Sequence, residues 1–237
     1  QYRCVGEGGD KFFRHRLRGD GRVRRAAFVI DLSRRIAARQ GTGVFRVAID
    51  GVDGAGKTTL ADELADVLRD RGLSVIRASV DGFHNPRAVR YRLGRDSPEG
   101  FYRDTTNIAL LREVLLDPLS PGGNARYRVR AFDHREDQPV SEPERVAKPP
   151  AVLLFDGIFL HRPELLGNWD LSIFLDVPFA QSYARMATRD GSDPDPEAPA
   201  NRRYYEGQKL YLSECRPRER ADIVVDYADP ERPRMRR

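Results

Sequence analysis

Cysteine is scarce in this chain of 237 residues: there are two, Cys4 and Cys215, far apart and without a CxxC pair. Histidine is scarce as well, with four and no cluster at metal-ligand spacing. A disulfide scaffold and a structural zinc site are therefore excluded, and the usage suits a reducing, cytoplasmic setting. Long hydrophobic runs are also lacking. The best of them, Ala151 to Leu160, is interrupted by Asp156 and falls short of the roughly 18 apolar residues that a membrane span needs. No signal-peptide hydrophobic region is evident. Nor is there a large excess of one charge: 41 Lys and Arg face 36 Asp and Glu, a net +5. That balance suits phosphate-rich partners but is modest for a nucleic-acid binder. Basic residues do gather within residues 11–39, ten against the two acids Asp20 and Asp31. No aromatic platform or binding module accompanies them, so the stretch reads as solvated and nucleic acid is not an expected partner.

What is present is enough for a core. The chain is 40% hydrophobic and 32% charged, and strand-like apolar runs recur from Val44 to Tyr227. Its length fits one domain, because single cores stop growing at roughly 250 residues. Residues 1–25 are rich in Gly and Arg and read as a flexible basic leader. Residues 26–237 read as a single domain that opens with a helix over 26–39. Strands are predicted at 44–50, 73–80, 151–156, 171–177 and 221–227, with helices from 57, over 108–116, 179–189 and 202–212. Residues 82–107 are polar, aromatic and aperiodic, and a connection that long inside a compact domain is usually functional. Strands that are nearly continuous in apolar residues and alternate with helices predict an α/β fold: a doubly wound parallel sheet of about five strands.

The first strand runs into Gly51-Val52-Asp53-Gly54-Ala55-Gly56-Lys57-Thr58-Thr59, and helical periodicity resumes at Leu60, Leu64, Val67 and Leu68. Gly-x-x-x-x-Gly-Lys-Thr between a strand and a helix is a phosphate-binding P-loop. Its glycines let the backbone turn tightly so that several N–H groups face phosphate oxygens, and the helix adds its positive end. Lys57 supplies a cation for β and γ phosphates, and the Thr58 hydroxyl can ligate Mg²⁺. No Asn-Lys-x-Asp element for guanine occurs, and the chain is too short to add a motor or ligase domain. A small phosphotransferase is what remains.

Two acidic residues close predicted strands: Asp81 after 73–80 and Asp156 after Ala-Val-Leu-Leu-Phe. In an open parallel sheet the carboxyl ends of strands face the crevice where ligands bind. A carboxylate at position 81 can take the proton of an attacking hydroxyl or bind Mg²⁺, and Asp156 has the form of a Mg²⁺-directed acid. Turn capping before Gly82 and Gly157 is the structural alternative for each. Arg185 and Arg189 lie four apart, on one helix face, as either phosphate-directed cations or a solvated basic face. Tyr102, Tyr204 and Tyr205 either stack on an acceptor or pack in the core.

Taken in order, Asp50–Leu60, Asp81-Gly82-Phe83-His84, Phe132-Asp133-His134, Phe155-Asp156-Gly157 and Arg185…Arg189-Asp190 resemble the uridine kinase-like P-loop kinases, grouped with pantothenate kinase and phosphoribulokinase. The resemblance covers roughly residues 45–230. It implies transfer of the ATP γ-phosphate to a hydroxyl of a small-molecule acceptor, with uridine or cytidine foremost. By the same resemblance Asp81 is the general base, and Phe83, His84 and His134 belong to the acceptor side, to which Tyr102 is the candidate that the aromatics add. Arg185 and Arg189 are lid arginines, in a mobile lid at about 189–203. Asp-Gly-Phe-His stands where uridine kinases usually have Asp-Ser-Phe-Tyr, and Asp-Gly-Phe looks more like pantothenate kinase. The P-loop also suits a thymidylate kinase-like nucleotide kinase. A nucleotide-binding regulator without turnover is the alternative from outside the enzymes, and homo-oligomer formation stays open.

Overall fold

The computed structural model describes residues 20–236, and everything below concerns these. Its centre is a six-stranded sheet: β1 (Val44–Gly51), β2 (Ser74–Ser79), β3 (Ala151–Gly157), β4 (Leu171–Asp176), β5 (Ile223–Asp226) and β6 (Arg234–Met235). The spatial order is β6-β5-β4-β1-β3-β2. All neighbours are parallel except β6, which pairs antiparallel with β5. The five parallel strands are the ones predicted; the sixth is additional, because two residues among arginines and prolines carry no apolar period.

The inner strands β1, β3 and β4 are buried on both faces, which is why they read as continuous apolar runs, whereas the edge strand β2 is buried only at alternate positions. Alternate residues divide the core in two. Val47 and Ile49 of β1 and Val152 and Leu154 of β3 meet Leu60, Leu64 and Leu68 of helix α2 (Lys57–Asp70). Leu153 and Phe155 face the other way, onto Phe83, Leu111 and Leu115. Helix α1 (Asp20–Arg39) covers the first face through Phe28, Val29, Leu32 and Ile36. It begins six residues before the expected start. Arg25 is tied to the Glu63 carboxylate and the Pro230 carbonyl, so residues 20–25 belong to the domain. The remainder of the expected leader, 1–19, lies outside the described residues.

The long connection after β2 contains a 3₁₀ turn at Val80–Phe83 and helix α3 (Pro98–Asp104). Ser97 caps α3 by accepting the Gly100 N–H. Beyond β4, helix α4 (Phe179–Asp190) ends at Gly191, and residues 191–198 are irregular, as Asp-Pro-Asp-Pro requires. Helix α5 (Arg202–Cys215) then packs on α3. Gly207 allows that approach: a Cβ there would lie 2.8 Å from both the Phe101 ring and the Pro98 carbonyl oxygen. Among the described residues, no helix is long and apolar enough to cross a membrane.

Candidate active site

The order β2-β3-β1-β4-β5 reverses at β1, and the loop after β1 sits at that switch point, where α/β sheets bind ligands. Gly54 and Gly56 have φ of +69° and +93°, values that only glycine adopts without strain. The turn hands the chain directly to α2, whose first N–H groups have no partners inside the helix. Lys57 Nζ is 2.8 Å from the Val52 carbonyl, folded back across the loop. These residues line a cavity of about 480 Å³ together with Asp81, Asp156 and Arg189.

Asp156 organises its floor. The residue is buried, and the Thr58 hydroxyl donates to its Oδ2 at 2.7 Å while Arg77 holds Oδ1 at 2.9 Å. Arg77 also binds Asp62 and the Leu154 carbonyl. This fits a Mg²⁺ site of the kind completed by phosphates and water, since that ion takes few protein ligands. An all-protein cage is not required, and among the described residues no cluster of three or more His, Cys, Asp or Glu side chains forms one. Asp53 lies at the same cavity. Burial pushes its carboxyl up, Lys57 opposes the shift and Asp81 adds to it.

A second cavity, of about 630 Å³, opens on the far side of Asp81 and is bordered by Arg77, Arg130, Asp133, His134, Arg135 and Glu142. Asp81 itself is exposed and lines both cavities. Its backbone is fixed rather than its carboxylate: Ser79 Oγ accepts the Asp81 N–H at 3.4 Å, and His84 Nδ1 lies 3.0 Å from the Asp81 carbonyl. The His84 ring stands 4.5 Å from that of His134. Burial pushes the His84 imidazole below its usual range, although the Asp81 carbonyl works in the other direction. Arg130 pairs with Asp133, whose carboxyl is held down by the Glu136 and Arg135 N–H groups.

Other residues expected at the site sit elsewhere. Phe83 is fully buried beside Phe155, and Tyr102 is a core side chain whose hydroxyl is 3.1 Å from Cys215 Sγ. Neither lines a cavity described above, so both are corrected from acceptor contacts to packing residues. Arg185 is half-buried and spends its guanidinium on the carbonyls of Ala55, Tyr227 and Ala228. It buttresses the phosphate loop from behind. Arg189 does line the cavity and pairs with Asp190 at 2.7 Å. The Ser192 hydroxyl and Arg189 together hold the Asp190 carboxyl down at about 2. Tyr204 lines the phosphate cavity, whereas Tyr205 packs edge-on against Phe179.

Three features escape the sequence reading. Arg77 sits inside β2, and a charge in the middle of a strand-like run is the signal that could have found it. Buried Asp50 joins His161 Nδ1 at 2.6 Å and the Tyr211 hydroxyl, while its other oxygen takes the Gly51 N–H at 2.7 Å. Gln208 Oε1 accepts the Asp53 N–H at 2.7 Å. Nothing local in the sequence marks the last two.

A parallel sheet with a glycine loop after its central strand, and acidic strand ends beside that loop, defines a P-loop phosphate-binding protein. Residues 47–194 match the phosphoribulokinase / uridine kinase family, and the chain belongs to it. Among solved structures, that of a "possible uridine kinase" from Bacillus stearothermophilus is 27% identical, with a TM-score of 0.66 over 84% of this chain and 98% of that one. Phosphoribulokinase from Rhodobacter spheroides shares the fold, with a TM-score of 0.50 at 16% identity over 81% of this chain and 74% of that one. In sequence, the thymidylate kinase of Xanthomonas campestris pv. campestris is 29% identical over 148 residues, 62% of either chain. A uridine kinase of Leuconostoc citreum is 26% identical over 150 residues, 61% of this chain and 67% of that one. The matched segment thus spans less than two thirds of the Xanthomonas relative.

Proposed function

We propose that the protein transfers the γ-phosphate of ATP to a hydroxyl of a small molecule, with a nucleoside such as uridine or cytidine as the foremost acceptor. The observation that carries this reading is the position of Asp81, on the wall between the phosphate-loop cavity and the second cavity. A hydroxyl presented from the second cavity meets this carboxylate on its way to a phosphate in the first. Asp81 takes the hydroxyl proton, the acceptor oxygen bonds to the γ-phosphorus, and the bond to the departing ADP breaks. Backbone N–H groups of Gly54 and of residues 56–59, with Lys57, hold the triphosphate, and Arg189 adds positive charge from the lid side. Thr58 and Asp156 are the residues that would hold Mg²⁺, which supplies positive charge against the phosphates. Arg77 keeps the Asp156 carboxylate turned toward Thr58. His134 borders the second cavity, and the His84 ring stands behind it.

A nucleoside monophosphate acceptor is the second reading. Arg130 and Arg135 border the second cavity, and the similarity to thymidylate kinases points the same way. ADP release with Mg-ATP across uridine, cytidine, thymidine, thymidine monophosphate, pantothenate and simple sugars separates these. Stimulation by uridine or cytidine is the expected result. Stimulation by the monophosphate alone moves the acceptor to the second reading, and pantothenate alone to the pantothenate kinase side. ATP binding without turnover on any acceptor would leave a nucleotide-binding regulator in place of an enzyme.

A further inference from the structure

The phosphate loop is gripped from a distance in sequence by one helix. Gln208 and Tyr211 lie one turn apart on α5, so their side chains share a face. Gln208 is buried, accepts the Asp53 N–H at 2.7 Å and donates from Nε2 to the Tyr204 carbonyl. Tyr211 is buried too and donates its hydroxyl to Asp50, the residue before the loop. The same hydroxyl receives the His161 N–H at 3.1 Å. Asp50 in turn fixes the Gly51 N–H, where the chain leaves β1.

We infer that α5 is a strut for the phosphate loop, with Gln208 and Tyr211 as positioning residues for the bound triphosphate. Three physical points support this. The peptide N–H of residue 53 is taken by Gln208, which fixes the plane of that peptide immediately before Gly54 and Gly56. The three groups around Asp50 leave the loop little freedom to rotate at its start. The adjoining face of α5 is locked as well. Gly207 seats it on α3, and the buried Arg203 guanidinium bonds the carbonyls of Arg90, Gly94 and Arg95. A helix anchored in this way can hold a loop still, which is what an arrangement of converging N–H donors needs.

The inference rests on the reading of the loop as a nucleotide site, and one experiment separates the two. Mg-ATP and Mg-ADP affinities are measured by calorimetry for the full chain and for Gln208→Met, with unfolding midpoints taken without nucleotide. Methionine keeps the length of the side chain and removes both hydrogen bonds. The expected result is about a fivefold weaker Kd for both nucleotides, the scale of one lost neutral hydrogen bond. In turnover, KM for ATP rises by a similar factor while KM for the acceptor stays put. Tyr211→Phe is expected to act in the same direction. A Gln208→Met chain with a lowered midpoint but unchanged nucleotide affinities would overturn the strut and leave a structural contact. A wild-type chain that binds neither nucleotide would overturn the nucleotide reading and the strut with it.

Discussion

Gly54 brings the phosphate loop against the backbone of α4, and replacing it by alanine tests the geometry of both. The residue has φ +69°, and a Cβ there would lie 2.5 Å from the Ser182 carbonyl oxygen and 2.8 Å from Met186 Cγ. The Met186 side chain can swing aside. The carbonyl oxygen belongs to the helix backbone, so either α4 or the loop must move. Gly72 is a built-in control: its φ is +82°, but a Cβ there would meet nothing within 4 Å. Placing alanine in the left-handed region costs about 1–2 kcal/mol, and this is the whole effect expected for Gly72→Ala. At Gly54 the same cost is joined by overpacking of about 1–3 kcal/mol, giving roughly 2–5 kcal/mol in all. Thermal unfolding reads the difference, at roughly 2–4 °C per kcal/mol for a chain of this length. Calorimetric binding of Mg-ATP reads the displaced loop, with an expected loss of at least tenfold, roughly 1.4 kcal/mol. Gly72→Ala should bind like the wild type. Equal destabilisation by the two substitutions, or wild-type ATP affinity in Gly54→Ala, would refute the close approach of α4 to the loop.

Asp81→Asn should leave the ATP Kd within about twofold and lower turnover by roughly 10²–10⁴, the usual contribution of a general base; near-normal turnover would remove Asp81 from the chemistry. Lys57→Ala should weaken ATP binding and slow turnover together, and unchanged ATP kinetics would discredit the loop assignment. Stability should fall as pH drops below the ordinary histidine value of 6.5, because burial depresses the His84 pKa and the unfolded chain takes up that proton first. In a His84→Gln chain the acid-side loss should shrink. A profile identical to that of the wild type between pH 7 and 5 would show that His84 does not carry it.

Much of this site is legible along the chain because each part is a run followed by a turn. Val44–Ile49 followed by the glycines gives the loop, and the apolar runs that end at Val80 and Phe155 give Asp81 and Asp156. Phe83 shows where that logic stops. It sits two residues from Asp81 in the same motif, yet a 3₁₀ turn sends side chains a third of a revolution apart per residue, so one is solvent-exposed and the other is core. Tyr102 is a similar case. An aromatic in an aperiodic stretch gives no sign of which way it faces, and α3 turns it onto Cys215. Arg185 and Arg189 share a helix face as their spacing requires. The loop and the β5 end still claim the first, while the second lines the cavity.

Local periodicity along the chain specifies the parallel sheet, the phosphate loop at its switch point and the two acids at strand ends. These depend on neighbours a few residues away, through backbone conformation and the apolar pattern. The tertiary structure alone decided what lies beside the loop. Gln208 is 155 residues from Asp53 and Tyr211 is 161 from Asp50, so their roles exist only because α5 crosses the start of the loop. Arg77 is 79 residues from Asp156, and the register of β2 on β3 sets its reach. A hydrogen bond depends on tenths of an ångström, and positions that fine are fixed by packing between elements whose sequences carry no record of one another.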